Sequence, residues 1–138
     1  LIYPVGFYRT KAKRLKEIAR VLLENHNGRV PEDMDSLLKL PGVGRKTANI
    51  VLSLGYGRDA IAVDGHVHRI TNRWALVRTK TPEQTEVALK SIIPRKYWKR
   101  LNSLLVGFGQ GICKPLSPLC SKCNLEGICP KTGVTRHR

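Results

Sequence analysis

All four cysteines of the chain, Cys113, Cys120, Cys123 and Cys129, fall within 17 consecutive residues near the C-terminus, separated by six, two and five residues. No other feature restricts the fold as strongly, because four thiols in so short a span either pair locally or converge on one metal centre. The opening residues Leu1-Ile2-Tyr3-Pro4-Val5-Gly6 carry no charged lead-in of the kind that begins a secretion signal. In a reducing compartment such a cluster is expected to bind metal rather than to form disulfides. Pro115, Pro118 and Pro130 stiffen the loop and help aim thiolates inward. Four thiolates suit a tetrahedral zinc as readily as an iron-sulfur cluster, so residue type alone leaves both open.

The remainder reads as helix. Residues 9–26 place Ala12, Leu15, Ile18, Ala19, Leu22 and Leu23 at helical spacing among lysines and arginines, with Gly28 as the stop. Pro31, Glu32 and Asp33 begin a short second helix through Leu37, Leu38 and Leu40, ending at Pro41. Lys46 to Leu54 is apolar on nearly every side and predicts a buried central helix closed by Gly55 and Gly57. Asp64 stands at an N-cap position for a helix with Val67, Ile70, Trp74 and Val77 on one face. Thr81, Pro82 and Gln84 form a capping-box pattern for a helix through Val87, Ala88, Ile92 and Ile93. Pro94 opens the last long helix, with Trp98, Leu101, Leu104, Leu105 and Phe108 as its inner stripe. No alternating strand and no internal repeat stands out, so the fold class is all-α with a cysteine-bound loop at its end.

Charge narrows the partner. With 25 Lys plus Arg against 10 Asp plus Glu, the 138 residues carry a formal charge of +15, which draws polyanions and nucleic acid first among them. A hydrophobic content of 41% supplies a core and excludes a disordered basic tail, and no apolar run approaches a membrane span. Leu40-Pro41-Gly42-Val43-Gly44 joins the second and third helices. A Gly-x-Gly turn of this kind exposes backbone N–H groups at a helix start, where a phosphate binds without regard to base sequence, and Arg45 adds charge there. Lys46, in the first turn, is either a further phosphate-binding lysine or an amine whose ammonium form is disfavoured by the positive helix end and partial desolvation. His66 and His68, two apart on a helix, point to different faces, and packing, capping or phosphate contact suits them better than a zinc pair.

Several of these segments together resemble one family. Leu40-Pro41-Gly42-Val43-Gly44-Arg45-Lys46-Thr47-Ala48 is similar to the helix-hairpin-helix of the endonuclease III family of DNA glycosylases, including the lysine that marks its bifunctional members. Val63-Asp64-Gly65-His66-Val67-His68-Arg69, whose Asp64 follows Lys46 after seventeen intervening residues, resembles the segment bearing the family's essential aspartate. The six, two, five cysteine spacing matches the family's iron-sulfur loop and argues against zinc, and Tyr3-Pro4-Val5-Gly6-Phe7-Tyr8 with Lys11-Ala12 is similar to the lead-in to the helix before the hairpin.

The resemblance implies a partial helical barrel with the hairpin over residues 1–58 and a cluster domain over 59–138, its [4Fe-4S] loop at 113–129 held by Cys113, Cys120, Cys123 and Cys129. It implies that Lys46 attacks C1′ of the damaged nucleotide, that Asp64 stabilises the oxocarbenium-like state and assists proton transfer, and that Gly42, Val43, Gly44, Arg45, Lys114 and Lys122 meet DNA. The expected activity is excision of oxidised pyrimidines from duplex DNA with cleavage at the resulting abasic site. Lys46 separates the chain from the adenine-mismatch and thymine-mismatch relatives, which lack that lysine. The competing expectation is a non-catalytic DNA-binding module, and a basic RNA-binding protein ranks third. A monomer is expected, in the cytoplasm or nucleoid of a prokaryote or in a eukaryotic nucleus or mitochondrion. Family members carry further helices ahead of this point, so the chain, which opens without Met, is expected to be part of a longer protein. Gly65 stands where the family more often has Thr.

Overall fold

The computed structural model describes residues 2–138, and among them every regular element is helical. Six α-helices carry the fold: α1 (Tyr8–His26), α2 (Met34–Leu38), α3 (Arg45–Ile50), α4 (Gly65–Arg73), α5 (Pro82–Ile92) and α6 (Trp98–Gly111). No helix is long and apolar enough to cross a membrane. Two hydrophobic clusters divide the molecule. Leu37, Leu40, Ala48, Leu52 and Ala60 form one, with Ile18, Val21 and Leu22 of α1 packed against it. Ile61, Val63, Val67, Ile70, Val77, Leu89, Trp98, Leu105 and Cys113 form the other.

Local chemistry sets the helix ends. α1 stops where Asn27 and Gly28 turn left-handed and the Gly28 N–H donates to the Leu22 carbonyl at 2.8 Å. The Asp33 side chain caps α2 by accepting from the Ser36 N–H, so this helix starts at Met34 and not at the expected Pro31. Thr81 caps α5 through Gln84, whose side chain reaches back to the Lys80 N–H. Between the clusters, Ala60-Ile61-Ala62-Val63 runs buried without regular structure, and Asn102 of α6 donates to the Ala62 carbonyl at 3.0 Å. That buried run delivers Asp64 to the start of α4.

The structure corrects several expected faces. The segment expected to be one buried helix over Lys46–Leu54 is α3 continued by a π-helical turn, Val51–Gly55, and Leu54 points outward. Its buried members are Ala48, Asn49, Leu52 and Ser53, two of them polar, because α2 covers one side of it and other partners meet the rest. On α1, Leu15 and Leu23 are exposed and no residue is fully buried, since the helix touches the core along a single edge. Val87 and Ile92 of α5 face out while Thr85, Glu86 and Leu89 face in, and Leu104 of α6 is exposed. Val77 joins the α4 core from the loop after the helix. Apolar residues outnumber the inward positions on these helices, so neighbouring elements decide which are covered.

Candidate active site

The two residues singled out for chemistry meet. Lys46 lies in the first turn of α3, and its Nζ stands 3.5 Å from Oδ2 of Asp64, which caps α4. The other oxygen of that carboxylate, Oδ1, accepts from the His66 N–H at 2.9 Å and the Val67 N–H at 3.0 Å. Cap and ion pair thus use different oxygens of one carboxylate. The lysine side chain is half exposed and Asp64 is 12% exposed, so the amine opens to solvent while the carboxylate beside it is held in place. Space around Gly65 is open, and a β-carbon there would meet nothing within 4 Å.

The hairpin turn before α3 depends on Gly42, whose φ of +72° suits glycine and whose pro-β position lies against the Arg14 side chain. The Val43 N–H is spent within the turn on the Leu40 carbonyl at 3.1 Å, while Gly44 caps α3 with no side-chain partner for the first-turn donors. Arg45 does not stand free as a phosphate-facing charge. Its Nε and Nη2 donate to Glu86 of α5 at 2.7 and 3.2 Å, and the carboxylate holds the guanidinium pKa above its ordinary value. His66 and His68 meet different partners: His68 Nδ1 lies 2.6 Å from Thr85 Oγ1, and His66 Nδ1 lies 3.1 Å from Arg69 Nη2.

All four cysteines are free thiols and line one cavity with Phe108, Ile112 and Leu119. The thiols thus ring one shared space. Two arginines of α4 flank that ring. Arg73, itself buried, donates from Nη1 to Cys113 Sγ at 3.3 Å and to the Lys114 carbonyl at 2.7 Å, and from Nη2 to the Pro115 carbonyl at 2.8 Å. Arg69 donates to the Cys113 carbonyl at 2.8 Å, and its Nε is buried with no partner. Burial, then repulsion from Arg73, pushes the Arg69 pKa down. The buried positive charge of Arg73 beside Cys113 Sγ fits an anionic thiolate-bound group. Lys114 is half-buried in this loop, and Lys122 is exposed on the short 3-10 turn Cys120–Lys122.

Sequence reasoning did not find Arg69, Arg73, Glu86 or Asn49. Arg69 and Arg73 offer a signal, being one turn apart on the helix that Asp64 begins. A glutamate and an asparagine buried on helices offer none.

The chain is similar to known proteins over most of its length. Endonuclease III of Thermotoga maritima is 55% identical over 129 residues, covering 94% of this chain and 61% of that protein. Endonuclease III-like protein 1 of Gallus gallus is 46% identical over 133 residues, covering 94% of this chain and 47% of its own. The solved structure of a trapped endonuclease III-DNA covalent intermediate superposes with a TM-score of 0.84 at 41% identity, over 92% of this chain and 60% of that one. A non-covalent endonuclease III-DNA complex matches with a TM-score of 0.83 at 42% identity, over 91% of this chain and 59% of that one. The chain therefore spans between about half and three fifths of these relatives' length. Residues 1–95, which include the hairpin, Lys46 and Asp64, match the family model described as HhH-GPD superfamily base excision DNA repair protein, and the chain belongs to that superfamily.

Proposed function

We propose that the chain carries the chemistry of a bifunctional DNA glycosylase that removes oxidised pyrimidines from duplex DNA and cleaves the abasic site. The observation that carries this reading is the approach of Lys46 Nζ to 3.5 Å from Asp64 Oδ2, on a chain whose matched relatives include a trapped covalent complex with DNA. The Lys46 amine attacks C1′ with its lone pair, and the base leaves with the glycosidic electrons and a proton. Opening of the sugar ring gives an imine, which acidifies C2′; loss of the C2′ proton then expels the 3′ phosphate. Asp64, fixed by its cap bonds, faces the positive charge that develops at the sugar and stands within reach of the protons Nζ gives up.

DNA docking is assigned to the hairpin Gly42, Val43 and Gly44, with Lys114 and Lys122 of the cysteine loop, on a chain of net charge +15. Arg45 serves this surface from its pairing with Glu86. Cys113, Cys120, Cys123 and Cys129 would hold a [4Fe-4S] cluster, which would supply a rigid cross-link for the loop that presents those lysines. The six, two, five spacing of these thiols, with the buried guanidinium of Arg73 beside Cys113 Sγ, supports a cluster over zinc. The two hydrophobic clusters support two parts, proposed as residues 1–58 and 59–138, with Ala60 still packed in the first cluster and Ile61 in the second.

Borohydride trapping on duplexes bearing thymine glycol or an abasic site tests the reading. The expected result is an adduct on both, lost in Lys46→Ala. An adduct on the abasic duplex alone would leave the lyase reading and remove base recognition from this chain. A gel shift with no adduct on either would favour a DNA-binding module.

A further inference from the structure

Glu86 is among the most completely buried side chains, at 2% exposure, and it is charged. Its carboxylate accepts from Arg45 Nε and Nη2, from Asn49 Nδ2 at 2.9 Å and from Lys90 Nζ. Burial pushes the carboxyl pKa up, but the hydrogen bonds from Arg45 and Lys90 outweigh it and hold the group below its ordinary value. Two of the donors, Arg45 and Asn49, sit one turn apart on α3, whereas Glu86 and Lys90 belong to α5. α3 packs broadly on α2, and α4 packs on α6 and α5; α3 and α5 are not among the closely packed helix pairs. The carboxylate is therefore a polar tie between two helices that do not pack closely along their lengths. Arg45 and Lys46 are consecutive, so a clamp on Arg45 and Asn49 sets both the depth and the rotation of the turn that aims Lys46 at Asp64.

We propose that Glu86 is a positioning residue for the Lys46–Asp64 pair: by gripping Arg45 and Asn49 it fixes the first turn of α3 against the half of the molecule that holds Asp64. A bidentate guanidinium pair with a third donor from the same helix defines an orientation, which a single ion pair does not. The inference deepens the lyase reading and rests on it for its functional meaning, but the geometry is testable without DNA.

A zero-length carbodiimide coupling joins an amine to a carboxylate that it touches, and mass spectrometry of the digested chain reads each linkage separately. In the parent chain the Lys46–Asp64 linkage forms. In Glu86→Gln its yield is expected to fall at least fivefold, while the Lys131–Glu126 pair, 2.9 Å apart in the cysteine loop, couples as before. Unchanged Lys46–Asp64 coupling would overturn the proposal. Should Glu86→Gln unfold, both linkages fall together, and Asn49→Ala, which removes one donor and leaves the carboxylate charge-paired, replaces it. That variant is expected to lower Lys46–Asp64 coupling at least twofold, and equal yield would overturn the proposal.

Single-turnover trapping on an abasic duplex supplies the functional arm. Glu86→Gln is expected to slow trapping at least tenfold with the final adduct amplitude within twofold of the parent, since mispositioning lowers a rate whereas unfolding lowers an amplitude. A rate within twofold of the parent would also overturn the proposal. If the parent forms no adduct while its Lys46–Asp64 coupling depends on Glu86, the lyase reading fails and the positioning role stands.

Discussion

The oxygens of Asp64 face different partners, Oδ1 the first N–H groups of α4 and Oδ2 the Lys46 amine. Asparagine keeps the capping oxygen and loses the charge, so Asp64→Asn separates the two jobs. Its thermal stability is expected to change by less than about 1 kcal/mol, because Asn caps as well as Asp. Trapping on an abasic duplex is expected to fall at least a hundredfold, in line with loss of a charged group at the reacting centre. Thermal melts paired with single-turnover trapping check both halves. Glu86 predicts a pH dependence. Its native pKa lies below the ordinary value, so its contribution to stability is complete above that ordinary value and drains as pH falls through the lower native one. In melting-temperature profiles, the gap between the parent and Glu86→Gln is expected to be widest near neutrality and to close in acid. A gap that stays constant down to acid pH would contradict this.

Among the elements, α4 connects the parts. Its N-terminus is Asp64, its second turn carries Arg69, and its last residue, Arg73, grips the cysteine loop through three acceptors. α6 lies against it at Gly109, where a β-carbon would stand 2.3 Å from His66 Nδ1 and 3.0 Å from Arg69 Nη2. Gly109→Ala must therefore push the helices apart or displace both side chains. A loss of about 1–3 kcal/mol in denaturant unfolding is expected, as for overpacking in a core, together with weaker retention of any loop-bound metal. Gly65 is the contrasting case, since its surroundings are open and threonine there meets no obstacle. The helical character of α1, α4, α5 and α6 was legible from spacing and caps, because Asp64 and Thr81 announce their helices within four residues. Which side of α5 faces inward was not, for Thr85 and Glu86 are buried by partners on α3 and α4 that lie 17 to 41 residues away in sequence.

For the molecule as a whole, the C-terminal segment after Cys113 is the part with least structure of its own. Its one regular turn among the described residues is Cys120–Lys122, and it is tied to the body by Arg73 and a few backbone bonds such as Thr132 N–H to the Arg73 carbonyl. Metal removal by a chelator is therefore expected to leave the helical far-UV signal nearly intact while proteolysis within residues 114–138 speeds at least tenfold. Iron and labile sulfide lost in step with that change would match a cluster, and zinc without sulfide would not. The sequence by itself determined the helical class, the hairpin, the lysine and aspartate at their spacing and the cysteine set. These are local properties: periodicity, caps and residue type survive in any chain that carries them. Only the tertiary structure decided that Arg45 is committed to Glu86, that Lys46 stands beside Asp64, that Arg73 lines the thiol cavity and that Arg69 holds the Cys113 carbonyl. Each of these joins residues 18 to 44 positions apart, and a buried charge finds its partner through packing geometry that no local pattern records.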